Sequence, residues 1–179
     1  LKLDAFDRSN DLKPLSVVTG DIIAKNAYEW SKATESPLAQ AAVRGAEKIT
    51  VRPLLGHSGK AVKLPKGASL SYDFYCDKSG DARFTIAAIP CFLNAVKDMR
   101  LSVSIDRGEP VICQLKEVYN SKDWQFDLWR GQTLKSFYVT LPGGSHNVTI
   151  KALDDNVMID QWVLDYDVDR EYYVFPVAK

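Results

Sequence analysis

The sequence predicts an all-β protein, a jelly-roll-like antiparallel β-sandwich with one or two short helical turns. Three observations carry this expectation. Apolar residues recur at every second position in several separate runs, the mark of strands buried on one face. Turn-forming Gly, Pro, Asn and Asp fall between those runs, where they punctuate strands. The chain has 179 residues, which suits one ordinary domain with a single buried core.

Taken in order, residues 1–14 are polar and partly extended, and residues 1–19 read as a connecting segment packed on the sandwich. The sandwich is expected over 20–176, with a tail at 177–179. Ala-rich Thr34–Glu47 reads as a short helix or an ordered loop. Along Ser69–Cys76, Leu70, Tyr72, Phe74 and Cys76 share one face. Lys78–Asp81 separates that strand from the next, marked by Phe84, Ile86 and Ala88. Leu101, Val103 and Ile105 alternate with Arg100, Ser102 and Ser104. Arg107–Pro110 then joins Leu101–Asp106 to Val111–Leu115 as a hairpin. Ser121–Gly131 carries Trp124, Phe126, Leu128 and Trp129 before a glycine stop, which fits a helical turn on the surface. Phe137, Val139 and Leu141 precede Pro142-Gly143-Gly144, and Val148, Ile150 and Ala152 follow it. Asp154–Asn156 turns the chain into the last strand, since Asn tolerates left-handed backbone. Two sheets packed through such faces form a sandwich.

Bulk properties exclude several functions. There are 23 basic and 23 acidic residues, so the formal net charge is zero. No global field favours nucleic acid or an anionic membrane, and neither is expected as a partner. No apolar run approaches the roughly 20 residues of a spanning helix. The chain begins at Leu1 with no signal peptide, as expected of a domain cut from a longer polypeptide. Its cysteines, Cys76, Cys91 and Cys113, form no CxxC pair, and their odd number leaves one free. Cys76 falls in a strand-like run and reads as a small buried apolar residue.

Catalytic signatures are missing from the sequence. It holds no nucleophile elbow, P-loop, HExxH or dinucleotide fingerprint. A glycosidase needs two carboxyls roughly 5–9 Å apart in a cleft, and no spacing here identifies such a pair. His57 and His146 sit beside glycine-containing turns and read as hydrogen-bonding turn residues. Asp165–Glu171 opens as D-x-D-x-D, like a calcium loop. It then places Arg170 where the turn needs glycine and Pro176 where a bidentate Glu belongs. A solvated strand edge is the expectation. Asn147-Val148-Thr149 fits the N-glycosylation pattern but lies within a predicted strand. No catalytic residue, cofactor or metal is expected.

The aromatic inventory is more suggestive. Trp30, Tyr119, Trp124 and Trp129 fall in loop-like segments. A flat ring buries the apolar face of a pyranose while nearby Asp, Asn, Gln and Arg orient its hydroxyls. These four are therefore the candidate carbohydrate-binding residues. The competing reading has them anchor loops or bury against a neighbouring domain.

Seven motifs, collinear over roughly residues 20–176, resemble the C-terminal domain of glycoside hydrolase family 115. Leu55-Gly56-His57-Ser58-Gly59-Lys60-Ala61-Val62 is similar to that family's "LGRTG-AV" turn and strand. Ser69–Tyr75 resembles "SLEYRFY", and Thr85–Pro90 resembles a strand ending in Ala-Pro. Met99–Asp106 is similar to "LRYAVSFDD". Trp124 opens a "W…V…N"-like stretch, and Gly144–Val148 resembles "GYHTL". Asp154–Asp165 runs in register with "DPGVVLDKIVID". More distantly, the pattern resembles carbohydrate-binding modules of families 6 and 35, β-sandwiches whose early and late strands commonly hold a structural calcium. Here the early strand reads Ile22-Ile23-Ala24-Lys25, with Ile23 and Lys25 at the two glutamate positions, while Asp160 remains in the late strand. A lysine there is unfavourable for a cation, so Lys25 is expected to pair with Asp160 or Asp21. Ile49 also departs from the family pattern, which carries a tryptophan.

The resemblance implies a non-catalytic C-terminal accessory module of a secreted, periplasmic or cell-surface bacterial glycoside hydrolase. Its expected partner is the catalytic domain of the same parent chain, with a homodimer as a further implied assembly. It predicts a broad apolar patch on one outer face. The alternative is a module recognising plant or host polysaccharide through its loop aromatics.

Overall fold

Two antiparallel sheets face each other in the computed structural model, which describes residues 21–91, 98–172 and 175–176. The expected connecting segment at 1–19 and tail at 177–179 lie outside the described residues. The strands are β1 (Ile22–Asn26), β2 (Lys32–Thr34), β3 (Thr50–Pro53), β4 (Lys60–Leu64), β5 (Ser69–Cys76) and β6 (Gly80–Ala88). They continue as β7 (Arg100–Ile105), β8 (Val111–Gln114), β9 (Thr133–Leu141), β10 (Gly144–Ala152) and β11 (Val157–Asp165). Two helices interrupt them, α1 (Pro37–Gln40) and α2 (Lys122–Arg130).

One sheet runs β3-β4-β11-β6-β9, and β1 also pairs with β11, which makes six strands. β4 takes the first part of β11, through Val157–Ile159. β1 takes the rest, from Gln161 to Asp165. The other sheet runs β2-β5-β10-β7-β8. The expected hairpin at residues 101–115 is present as β7 and β8. The turns at Lys78 and Pro142 behave differently. β5 and β6 belong to different sheets, as do β9 and β10, so each turn carries the chain across the sandwich. A short turn between alternating runs marks a strand end, and it does not say which sheet receives the next strand.

The alternating faces meet where the periodicity places them. Leu70, Tyr72, Phe74 and Cys76 of β5 and Phe84, Ile86 and Ala88 of β6 are buried in one core. Leu101 and Val103 of β7 and Val148, Ile150 and Ala152 of β10 join them. Trp162 of β11 lies at the centre, its ring 5.6 Å from Tyr72, 5.6 Å from Phe74 and 5.3 Å from Phe84. These are edge-on and offset arrangements that aromatic quadrupoles favour. The Tyr72 hydroxyl donates to the Ala27 carbonyl at 2.7 Å, so its burial leaves no orphan donor. Cys76 and Cys113 are buried and Cys91 is half-buried, all three as free thiols. Burial pushes the Cys76 and Cys113 thiols up, as suits inert packing residues.

β11 is buried on both faces. Inward are Val157, Ile159, Trp162 and Leu164. Outward, Val163 packs with Ala87 and with Phe175 of the C-terminal segment, alongside Tyr172. A register shift between Ile159 and Gln161 marks a bulge in its pairing with β6. Bulges re-aim a side chain, and here the residue at the bulge is Asp160.

Candidate functional site

α2 is short and well capped. Ser121 Oγ accepts the Trp124 N–H at 3.1 Å. Gly131 ends the helix at φ +69°, its N–H donating to the Asp127 carbonyl at 2.8 Å. Ser at the N-cap and Gly in the left-handed C-cap are the residues these sites favour. The helix is inverted in its burial. Its one buried residue is Asp127, while Phe126, Leu128 and Trp129 are 52%, 48% and 75% exposed. An ordinary surface helix turns its apolar stripe inward. Thr133 Oγ1 donates to Asp127 Oδ2 at 2.6 Å, which satisfies the acid. Burial nevertheless pushes its carboxyl up, against the bond from Thr133.

Three of the four expected aromatics gather on this ridge. Tyr119 meets Trp124 edge to face at 5.1 Å, and Phe126 meets Trp129 in the same manner at 5.8 Å. Trp30 lies apart, half-buried between β1 and β2 and packed on the main core. Val118 is also exposed, as are Leu54 and Leu55 of the β3–β4 loop. That loop is tied to the helix, because His57 Nε2 lies 2.9 Å from the Arg130 carbonyl. Exposed apolar side chains thus stand on α2, on the segment before it and on the 54–55 loop tip. The tip was not foreseen from the sequence; consecutive Leu54-Leu55 beside a glycine was its signal.

Asp160 holds these parts together. Fully buried, its carboxylate accepts from the His57 N–H (2.7 Å), the Ser58 N–H (3.2 Å), Ser58 Oγ (2.5 Å) and Gln132 Nε2 (2.8 Å). One acid thus joins the β11 bulge, the β3–β4 loop and the residue after α2. The loop closes around it at Gly56, where φ is +75° and a Cβ would stand 2.3 Å from Asp160 Oδ1.

That arrangement corrects the expected Lys25 pairing. Asp160 is taken by the loop donors, and Asp21 pairs with Lys78. Lys25 instead sits opposite Trp162 in the β1–β11 register. It also answers whether a cation fits between the early and late strands, as in the distantly similar modules. The residues do not fit one. Both Asp160 oxygens are occupied by donors, Ile23 packs on the core, and a lysine stands nearby in the strand. Among the described residues no group of three or more acidic, His or Cys side chains is arranged to hold a metal.

Within Asp165–Glu171 the acids Asp167, Asp169 and Glu171 are exposed, as a solvated edge requires, and the expectation is corrected at Asp165. Asp165 is not a solvated edge but fully buried, with Arg170 Nε 3.1 Å from its Oδ2. The Asp167 N–H and the Tyr172 hydroxyl also donate to it. Arg170, which spoils the calcium pattern, is the counter-ion.

A second region of interest is the outer face of the five-stranded sheet, a groove of about 1160 Å³ lined mainly by polar side chains of β5, β10 and the β7–β8 turn. Its wall is stiffened by His146. Nδ1 of that ring lies 2.6 Å from Asp106 Oδ2 and Nε2 lies 2.8 Å from the Pro142 carbonyl. Both neighbours are acceptors, so the imidazolium form suits the site. Burial alone would lower the His146 pKa; Asp106 and the Pro142 carbonyl outweigh it and hold the ring above its ordinary value. Asp106 is likewise held low by His146 and the Asn147 N–H, against its burial. No expected site residue falls in this groove, although the polar alternate positions of β5 and β10 marked it.

Comparison with known proteins places the chain in context. The family model described as the glycosyl hydrolase family 115 C-terminal domain matches residues 20–178. No curated protein sequence matches. Among solved structures, the chain is similar to a family GH115 4-O-methyl-α-glucuronidase with specificity for decorated arabinogalactans, at 26% identity and a TM-score of 0.68. The match covers 80% of this chain and 17% of that enzyme. In fold it is also similar to the C-terminal family 6 carbohydrate-binding module of a laminarinase from Zobellia galactanivorans, at 18% identity and a TM-score of 0.55. That match covers 81% of this chain and 99% of the module. A family 35 carbohydrate-binding module from Clostridium thermocellum is similar at 14% identity and a TM-score of 0.56, covering 80% of this chain and 98% of the module.

Proposed function

Because the chain belongs to the glycosyl hydrolase family 115 C-terminal domain family, we propose that it is a non-catalytic accessory module. It packs on the catalytic body of a secreted bacterial glycoside hydrolase through the α2 ridge. The observation that carries this reading is the inverted helix: α2 buries Asp127 and leaves Phe126, Leu128 and Trp129 in water. Exposed apolar rings side by side are costly for an isolated domain and mark contact surfaces. Rings of this kind supply much of the energy at protein interfaces. Asp160 and the α2 caps hold the ridge in place beforehand, which lowers the ordering cost of docking.

The test is a parent hydrolase carrying Phe126→Ser and Trp129→Ser, compared with the unaltered enzyme by limited proteolysis and thermal unfolding. The expected result is faster release of the module and a lower Tm of the catalytic body. The same changes in the 179-residue chain alone should alter its stability by less than about 0.5 kcal/mol, as for surface substitutions generally. Unchanged release and unchanged Tm of the parent would overturn the reading.

A second reading, polysaccharide capture by loop aromatics, is favoured by the exposure of Tyr119 (66%) and Trp129 (75%) on one ridge. It predicts that the double variant loses polysaccharide retention in affinity electrophoresis while module release stays unchanged.

A further inference from the structure

α2 has little to hold it. At nine residues it is too short to be stable in water by itself, so its seat on the sandwich decides whether it forms. None of its apolar side chains is fully buried: Trp124 is half-buried, and Phe126, Leu128 and Trp129 are exposed. The one buried side chain is that of Asp127, whose carboxyl meets Thr133 Oγ1 of β9 at 2.6 Å. A single acid therefore does at this helix what an apolar stripe does at an ordinary one.

Three features of the seat favour the neutral carboxyl. Asp127 is buried, and burial penalises the charged form. It stands in the last turn of the helix, where the Gly131 N–H donates to the Asp127 carbonyl at 2.8 Å. A carboxylate there would face the negative end of the helix dipole. Its charged neighbours do not compensate. β9 supplies Lys135, but Lys135 is paired with Glu117 of the segment before the helix, a second acid. On α2 itself Arg130 is exposed and Asp123 lies in the first turn. The β3–β4 loop brings His57, whose ring meets the Arg130 carbonyl. The balance holds Asp127 above its ordinary value of 3.8, with burial the largest cause.

We propose that α2 is an acid-set latch: the neutral Asp127 carboxyl seats the helix on Thr133, and its ionisation loosens the helix together with the aromatic ridge it carries. The neutral carboxyl can donate to the Thr133 hydroxyl as well as accept from it. A carboxyl whose folded value is raised stabilises the seat fully below 3.8, and that contribution is lost as pH rises through the folded value. The latch thus closes in acid and opens towards neutrality. It belongs to the chain alone; only its consequence, tighter docking of the ridge in acid, rests on the accessory-module reading.

The experiment measures hydrogen-exchange protection factors of the 179-residue chain at about pH 4.5 and about pH 7.5, with Asp127→Asn alongside. Asn keeps the shape and an acceptor for Thr133 but cannot ionise. In the unaltered chain, protection of the amides at 125–131 is expected to fall about tenfold relative to the β10 amides, near the low end of the cost of burying an ill-partnered polar group. Asp127→Asn should keep the acid level of protection at both pH values. Glu117→Gln leaves Asp127 in place, removes the competing acid and frees Lys135, so it should shrink the fall. Equal protection at the two pH values in the unaltered chain would overturn the proposal. So would a fall that persists in Asp127→Asn, which would place its origin at His57, or one that Glu117→Gln leaves unchanged. In a parent hydrolase, protease release of the module should rise with pH in the unaltered enzyme and stay level in Asp127→Asn. Release independent of pH beside a working latch would count against docking through the ridge and leave the latch standing.

Discussion

The two outer faces of the sandwich are handled in opposite ways. On the six-stranded sheet the face is roofed: Val163 and Ala87 lie beneath Phe175, and Asp165 and Asp160 are fully buried under Arg170 and the 56–58 loop. On the five-stranded sheet the face is bare, with Ser71, Asp73, Asn147 and Thr149 set in an open groove. The inner faces are alike, so the difference comes from the outward positions. β11 is apolar at both parities and must be covered on both sides, as in a strand sandwiched between layers. β10 alternates His146, Val148, Ile150 and Ala152 with Ser145, Asn147, Thr149 and Lys151, and needs cover on one side only. A roofed face is committed to the chain's own segments. A bare polar face stays open to a ligand.

The largest way to break this contrast is to remove the ion holding the roof. Asp165→Ala leaves the Tyr172 hydroxyl without its acceptor and the Arg170 guanidinium with only the exposed Asp167, 3.6 Å away. Orphaning one partner of a buried pair costs about 3–5 kcal/mol. At roughly 2–4 °C of Tm per kcal/mol for this size, calorimetry should record a fall of about 10 °C. A fall of under about 2 °C would mean that the C-terminal segment lies on the face without stabilising it.

Next in size is Gly56→Ala. The new Cβ would meet the Asp160 carboxylate, with the backbone at φ +75°. Strain of this kind costs about 1–3 kcal/mol, and the carboxylate would also lose its fit to the His57 and Ser58 N–H groups. Urea denaturation should show the lower midpoint, and cleavage in the 54–59 loop should accelerate. An unaltered midpoint would mean that Asp160 can move, and that it does not fix the loop.

How much of this was legible in the sequence follows from the same contrast. Period-two runs revealed β5, β7 and β10, because one face of each is wet and the pattern is clean. β11 was found from the resemblance and the turn before it, since a strand buried on both sides loses its alternation. Ser121 and Gly131 signalled α2. The roof itself was hidden, because Asp165 and Arg170 look like solvated charges until Tyr172 and Phe175 fold over them. Asp160 carried a calcium expectation from distant relatives, and only the Gly56–Ser58 backbone showed what satisfies it. The groove escaped notice because its residues are ordinary for outward strand positions; their hydrogen-bonded row exists only across two strands.

A smaller effect tests the rim of the bare face through pH. His146 is held above its ordinary value of 6.5, so its contribution is complete below about 6.5 and is lost as pH rises through the folded value. Asp106 is held below 3.8, so its contribution is complete above about 4 and is lost as pH falls through its folded value. The pair is therefore at full strength between about pH 4 and 6.5. With Asp106 partly exposed, the effect is about 1 kcal/mol, or roughly 2–4 °C of Tm. His146→Gln should flatten the alkaline decline in Tm between pH 6 and 9 relative to the unaltered chain. A decline of the same depth in the variant would place its origin elsewhere.

The smallest expected effect is the most telling about exposure. Thr149→Val removes the hydroxyl that lies 2.9 Å from Ser71 Oγ and donates to Asn147. On a wet face, water replaces both partners, β-branching keeps the strand propensity, and the change should stay within about 0.5 kcal/mol. Under a roof the same change would strand Ser71 and Asn147 without partners, at about 1–3 kcal/mol. The urea midpoint of this variant therefore reports whether the five-stranded face is open in the folded chain. A loss above about 1 kcal/mol would mean that a segment of the chain covers the groove, and the contrast between the two faces would fail with it.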